Sequence, residues 1–475
     1  MSEDGRWELP ASWCWTTTHQ VASVVGGATP TNARDESNYS VDGIPWITPA
    51  DLSGYKHAYI ARGARNLSTQ GFNSCSARLL PKGTVLLSSR APVGYCAIAA
   101  SDIATNQGFK SLVLHSAEIS PEFVRHYLLG SKRYLESQAS GTTFLELSGA
   151  RTEQLLLPLA PAREQQCIVS RIEELFSEID EGERALERVQ KLVECYRQSV
   201  LKAAVTGELT REYRDTRSSS PGDREGDKYS LPPGWSWRSL DELSWATSYG
   251  TSAKCSSAEG ATPVLRIPNV REGRIALRDL KWAPADFDMT AADALAPGDL
   301  LVVRTNGSES LIGVGAVVLS ALPTPSYFAS YLIRFRLHPQ PLLAEWINLV
   351  WQSDVVRRFV HKHKATSAGQ YNVSQSKLRS IRLPIPPESE RAALLDASRL
   401  AASRMESALK ECSAGVAGSA ALRQTILKAA FSGQLVPQDP ADEPASALLA
   451  RLVAEAGEGQ NGTRRRDRRV RTTTP

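Results

Sequence analysis

The run RRFVHKHKATSAGQYN, Arg357 to Asn372, sets two lysines and three base-competent side chains close together. Lys362 and Lys364 suit phosphate oxygens, whereas Gln370, Tyr371 and Asn372 suit base edges, since Asn and Gln pair bidentately with adenine in the major groove. The same run also reads as a solvated helix end followed by a loop. Arg304 and Asn306 follow the apolar stretch DLLVV and join this set. In the N-terminal third, Arg90, Asn106, Gln107, Lys110, Thr142 and Thr143 stand beside apolar runs in the same way. Arginine reads guanine with a two-pronged fork, but at least half of protein–DNA hydrogen bonds go to the backbone, so Arg90 serves equally as a phosphate clamp. Asn106 and Gln107 have a simpler alternative role, fixing the turn before Gly108.

Catalytic patterns are missing. Methyl transfer to adenine needs a glycine fingerprint and an Asn/Asp-Pro-Pro-aromatic loop, and neither occurs; LPPGW at Leu231 has the wrong neighbours. Phosphate-cradling GxxxxGK[ST] is excluded, because the dipeptide Gly-Lys does not occur in the chain. A carboxylate two residues before lysine, the mark of a common metal-dependent nuclease, occurs as Asp279-Leu280-Lys281, but no aspartate precedes it nearby. The expectation is a non-enzymatic binding protein with no catalytic residue and no metal.

Composition narrows the setting. The seven cysteines are scattered, with no CxxC pair, and read as reduced thiols in a cytoplasmic protein. No apolar run approaches the ~20 residues that cross a bilayer, so no membrane partner is expected. The formal charge of +4 is carried by the tail RRRDRRVR, Arg464 to Arg471, which alone holds +5. That tail reads as a disordered end or as an arm touching phosphate. Residues 1–156 balance 13 basic against 13 acidic groups, whereas residues 230–383 carry 17 against 12, weak support for an anionic ligand at the second region.

The elements that position these residues come in duplicate. RQSVLKAAVTGELT from Arg197 returns as RQTILKAAFSGQLV from Arg423, identical at 8 of 14 positions and offset by 226. LPLAPAREQ from Leu157 returns as LPIPPESER from Leu383 at the same offset, and LPASWCW from Leu9 returns as LPPGWSW from Leu231. Between the echoes of the first half, Ile168, Ile172, Leu175, Ile179, Leu186, Val189, Val193, Tyr196, Val200 and Ala203 follow the heptad steps of a coiled-coil helix. The corresponding set in the second half is Leu394, Ser398, Ala401, Met405, Cys412, Gly415, Ser419, Leu422, Ile426 and Ala429, dominated by small residues. A small-residue face admits a bulkier partner, and the intervening region must leave one helix and return to the other, so the two are expected to pair antiparallel within the chain. Each is preceded by a mixed region with strands such as GTVLLSS and DLLVVRT and helices such as PEFVRHYLLGSKRYLES and LLAEWINLVWQSDVVRRFV.

The expected fold class is therefore α+β: two mixed α/β domains separated by two long antiparallel coiled-coil helices, as a pseudo-two-fold repeat. The segments are 1–156 and 230–383 for the domains, 157–212 and 384–436 for the helices, 213–229 for a polar linker and 437–475 for a C-terminal tail. Leu201 and Ala204, with their mates Leu427 and Ala430, are expected to contact a partner or the other helix, and helix-end structure alone would also explain the duplicated phrase. Gly207 and Gly433 are expected to cap the helices in the left-handed conformation.

With LPKGTVLLSSRAPVG (Leu80 to Gly94), IATNQGFKSL (Ile103 to Leu112), SGTTF (Ser140 to Phe144), LPLAPAREQQCIVSRIEELF (Leu157 to Phe176), the two RQ-x-x-LKAA-x-x-G phrases and LVPQDPADEPASALLARL (Leu435 to Leu452), the chain resembles the specificity (S) subunit of type I restriction-modification systems, HsdS. That resemblance implies two target recognition domains, each reading one half of a split, asymmetric site in double-stranded DNA, held apart by the helices. It implies two methyltransferase subunits and a motor-nuclease subunit as partners. S-adenosylmethionine, ATP and Mg are then cofactors of those partners, and none is bound directly by this chain. The second region departs from the pattern, with VVRTNGSESLIGVG where the first has LLSSRAPVG. The alternative from a different class is an orphan S-like scaffold without DNA-reading activity.

Overall fold

The computed structural model describes all residues except 1–7, 91, 142–144, 216–223, 226–228, 261, 272, 285, 288–292, 368 and 456–475. The chain forms two units, residues 1–185 with 415–475 and residues 186–414. The Arg464–Arg471 tail, Thr142 and Thr143 lie outside the described residues.

In the first unit the strands include β1 (Cys14–Thr17), β2 (Ala22–Gly26), β3 (Tyr59–Ile60), β4 (Val85–Ser89), β5 (Val93–Ala99) and β6 (Lys110–Leu114). The last five make one sheet in the order β2-β6-β4-β5-β3. All five residues of β4 are buried, Ser88 and Ser89 included. Alternation sends Val85 and Leu87 into one core and Leu86 into another. Next come α1 (Pro121–Gly130), α2 (Lys132–Gln138), α3 (Gly149–Glu153) and β7 (Leu156–Leu159), which pairs antiparallel with β1.

The second unit repeats this plan. Its strands β8 (Ser236–Ser239), β9 (Ser244–Tyr249), β10 (Asp299–Val303), β11 (Thr305–Asn306), β12 (Gly315–Val317) and β13 (Leu332–Leu337) include a sheet in the order β9-β13-β10-β12. In β10, Leu300 and Val302 face one core while Leu301 and Val303 face another, as in β4. The helices α5 (Leu343–Trp351) and α6 (Asp354–His363) follow, then β14 (Ala365–Ser367), β15 (Gln370–Asn372), α7 (Gln375–Arg379) and β16 (Arg382–Ile385), which pairs antiparallel with β8. Where the sequence predicts one amphipathic helix, each unit has two. In the second unit the break falls at the buried Ser353, whose hydroxyl donates to the Val350 carbonyl at 2.6 Å and so competes with the helical ladder.

The long helices are α4 (Ala162–Val205) and α8 (Glu388–Phe431), 44 residues each, about 66 Å at 1.5 Å per residue. In the first unit Ile168, Ile172 and Ile179 share a core with Ile426, Leu427, Ala430 and Phe431. In the second, Val193 and Val200 pack with Ala401 and Met405. The start of one helix thus meets the end of the other, an antiparallel pair. The heptad seam is only partly buried: Val189 and Tyr196 are 39% and 52% exposed. The exposed positions lie in the middle of the seam, and Val200 near its end is buried again.

The duplicated phrases meet at the helix ends. Gly207 and Gly433 adopt φ of +72° and +70°. A Cβ on Gly207 would lie 2.5 Å from Pro232, and one on Gly433 would lie 2.2 Å from Pro10. Each LP-x-x-W opening therefore seats against a glycine of an RQ phrase, which ties the third echo to the first.

Candidate nucleic-acid interface

In the second unit β11, β15 and β14 form a three-stranded sheet in that order. Thr305 pairs with Asn372 and Asn306 with Tyr371, while Ala365 and Thr366 flank Asn372 and Tyr371 on the other side. Four residues picked from sequence, Asn306, Gln370, Tyr371 and Asn372, are thus brought onto one small sheet. Gln370 accepts from the Thr305 hydroxyl at 3.3 Å, and Asn306 Oδ1 accepts from the Ser308 amide at 2.7 Å. Arg304 stacks on Tyr249, with its guanidinium carbon 4.9 Å from the ring centroid. Tyr249 and Tyr331, absent from the sequence selection, are exposed beside it.

Lys362 is exposed, whereas Lys364 is paired with Glu309 and lies 5.9 Å from the Tyr371 ring centroid. The Lys364 hydrogen bond holds the Glu309 carboxyl below the usual carboxylate range, and the charges of Lys364 and His361 act the same way. Lys364 is therefore already spent on a carboxylate, leaving Lys362 as the freer cation.

In the first unit the equivalent place is built from isolated bridges. Glu146 pairs antiparallel with both Arg90 and Ser140, as Asn372 does with Thr305 and Ala365. Arg90 and Glu146 form an ion pair of 3.7 Å between half-exposed side chains. Asn106 fixes a turn: its Oδ1 accepts from the Gly108 amide at 2.9 Å. Gln107 is exposed and accepts from the Thr29 hydroxyl. Lys110 opens β6, directly opposite Gly26. Arg90, Gln107 and Lys110 gather at one end of the five-stranded sheet, because Ser89 donates to the Gly108 carbonyl at 2.7 Å.

Glu146 was missed by sequence reasoning, yet adding the repeat offset of 226 to it gives Asn372. Of the proposed contact residues on the long helices, Leu201, Ala204, Leu427 and Ala430 are all buried. Leu427 and Ala430 belong to the first unit's core, and Leu427 sits against Gly130 of α1. Leu201 lines a cleft of about 720 Å³ with Arg197, Arg357 and His361. Among the described residues no group of His, Cys, Asp and Glu is placed to hold a metal, and no helix is long and apolar enough to cross a membrane.

Residues 12–188 match the family described as the type I restriction modification DNA specificity domain. The chain is 24% identical to the type I restriction enzyme EcoKI specificity subunit of Escherichia coli K12, over 97% of this chain and 99% of that one. Over nearly its whole length the chain is similar to type I specificity subunits. A shorter match, 36% identical, joins it to the MjaIX specificity subunit of Methanocaldococcus jannaschii over 39% of this chain and 43% of that protein. Two solved structures share the fold of this chain. One, from work on complex assembly and conformational transition of the type I R-M system, has TM-score 0.63 and 18% identity and covers 90% of this chain and all of its own. The other, the HsdS subunit from Thermoanaerobacter tengcongensis, has TM-score 0.54 and 19% identity and covers 90% of this chain and 99% of its own.

Proposed function

We propose that this chain selects the DNA sequence for a type I restriction-modification complex. Each unit reads one half of a split, asymmetric site in double-stranded DNA, and the long helices set the spacing between the halves. Two methyltransferase subunits, which would use S-adenosylmethionine, and a motor-nuclease subunit, which would use ATP and Mg, act on the DNA so chosen, in the cytoplasm. The chain itself contributes recognition and no catalysis.

One observation carries this reading. The same short polar row, reached through the same backbone pairing, stands in both units with different side chains: Arg90, Glu146 and Ser140 in one, Thr305, Asn372 and Ala365 in the other. A repeated scaffold with a diverged polar row suits two readers of unlike half-sites. Full-length similarity to the EcoKI specificity subunit supports the same conclusion. Phosphate contacts orient such a protein, and base-edge contacts specify the sequence.

Exchanging residues 1–156 for the corresponding region of another family member tests it. The methylated motif of the host should change in one half and keep the other. A change in both halves, or in neither, would contradict independent reading by the two units.

A further inference from the structure

Position 146 and position 372 share a frame that extends beyond their bridges. Leu147 donates its amide to the Ser89 carbonyl at 2.8 Å, and Val373 donates to the Arg304 carbonyl at 2.9 Å. Ser148 then caps α3 by accepting from the Arg151 amide at 3.2 Å, while Ser374 caps α7 from the Lys377 amide at 3.3 Å. Arg90 consequently occupies the place of Thr305, and Glu146 that of Asn372.

The side chains of this row are unlike but chemically paired. The Arg90–Glu146 contact is 3.7 Å long between side chains 39% and 46% exposed, so water screens it and little is lost when both groups turn to a ligand. Arginine forks onto the O6 and N7 acceptors of guanine, and glutamate accepts from the N4 amine of cytosine. Side by side, they match both partners of one G·C pair in the major groove. Asparagine forks onto the N7 and N6 groups of adenine, and the threonine methyl meets the methyl of thymine. Thr305 and Asn372 therefore match one A·T pair. Asn372 is half-buried and none of the described side chains takes its carboxamide in a hydrogen bond, which leaves both ends of that group for a base.

Resting on the DNA-reading function proposed above, we infer that Arg90 with Glu146 reads a G·C base pair in the half-site of the first unit, and Thr305 with Asn372 reads an A·T base pair in the half-site of the second. Glu146 is thereby a specificity-determining residue, and its chemistry is acceptance from the cytosine amine.

The test is single-molecule methylome sequencing of the host carrying wild-type chain, Glu146→Gln, Glu146→Asp or Asn372→Asp. The wild-type motif should hold an obligatory G·C pair in one half and an obligatory A·T pair in the other. Glu146→Gln should relax or switch one G·C position, with a loss of discrimination of about 10- to 100-fold, and leave the other half unchanged. Glu146→Asp keeps the carboxylate and should keep the G·C requirement. Asn372→Asp should relax one A·T position in the opposite half. A wild-type motif lacking these pairs, an unchanged motif in Glu146→Gln, or equal loss in Glu146→Asp and Glu146→Gln would overturn the assignment while leaving the DNA-reading function standing. Absence of any motif dependent on the wild-type chain would overturn both.

Discussion

Trp235 donates its indole N–H to Glu390 Oε2 at 2.9 Å, and in the other unit Trp13 donates to Glu164 Oε2 at the same distance. This shared joint pins each LP-x-x-W opening to the first turn of a long helix. The two joints differ in charge balance. Glu390 also accepts from the Thr210 hydroxyl at 2.6 Å and pairs with the nearly buried Arg214. Glu164 Oε1 is buried with no hydrogen-bond partner among the described residues.

Glu390→Gln would strand a nearly buried guanidinium, and removing one partner of such a pair costs about 3 kcal/mol or more. The second unit should lose that much in denaturant unfolding followed by hydrogen exchange at residues 205–240. Glu164→Gln keeps the acceptor for Trp13 and removes an uncompensated charge, so the first unit should hold or gain stability near neutral pH.

Glu164 also gives the first unit a pH dependence of defined sign. Burial pushes its carboxyl above the ordinary 4.5, the charge of Asp442 adds to this, and the Trp13 hydrogen bond opposes it. A carboxyl raised on folding binds more protons in the folded state, so its contribution improves as pH falls through the raised value and levels off below the unfolded one. Unfolding of the first unit at a series of pH values above and below 4.5 should show this slope. Glu164→Gln should remove this contribution, so the stability difference between wild type and variant should carry the slope.

Arg423 bridges Asp180 at 2.8 Å and Glu183 at 3.0 Å across the helix pair, and its guanidinium lies 5.5 Å from the Phe176 ring centroid. Its mate in the repeat, Arg197, instead lines the cleft with Arg357. Arg423→Ala should cost about 1 kcal/mol, as a partly screened network does, and speed hydrogen exchange in residues 176–183. Arg423→Lys should restore only part, because an ammonium can reach the carboxylates but loses the planar guanidinium's stacking on the Phe176 ring. Arg197→Ala should leave unfolding nearly unchanged.

Much of this architecture was legible in the sequence. The heptad steps and the equal spacing of the echoes marked two helices of one length, because a buried helical stripe requires that period whatever it packs against. The buried strands β4 and β10 followed from short apolar runs led by turns. The polar rows were less visible, since strand pairing there joins residues far apart in sequence and depends on no local propensity. Asn372 stood out beside lysines and an aromatic, whereas Glu146 stood in a run of ordinary composition, and only the offset of 226 connects them. Asn106, a base-reading candidate, also holds a turn through its Oδ1, a second use built into asparagine because its short amide reaches its own backbone.

Asn106→Ala should therefore weaken that turn by about 1 kcal/mol, the usual worth of such a hydrogen bond, without changing which bases are read. Thermal unfolding together with the methylated motif checks both halves of this expectation.

Residues 189–195 of α4 and 407–413 of α8 lie at matching heights of the antiparallel pair, as the Val200–Ala401 and Val193–Met405 cluster indicates. Removing both heptads shortens the pair by about 10 Å, close to three base pairs of duplex. The unread spacer should shrink by about that number while both half-sites persist, which motif analysis of the variant's methylated sites would reveal.

The most direct test of sequence selection by this chain is methylome sequencing of the source strain against the same strain without the gene. The account predicts loss of methylation at one split, asymmetric motif and no change elsewhere. Identical methylomes, in a strain whose methyltransferase partner is present and active, would contradict it.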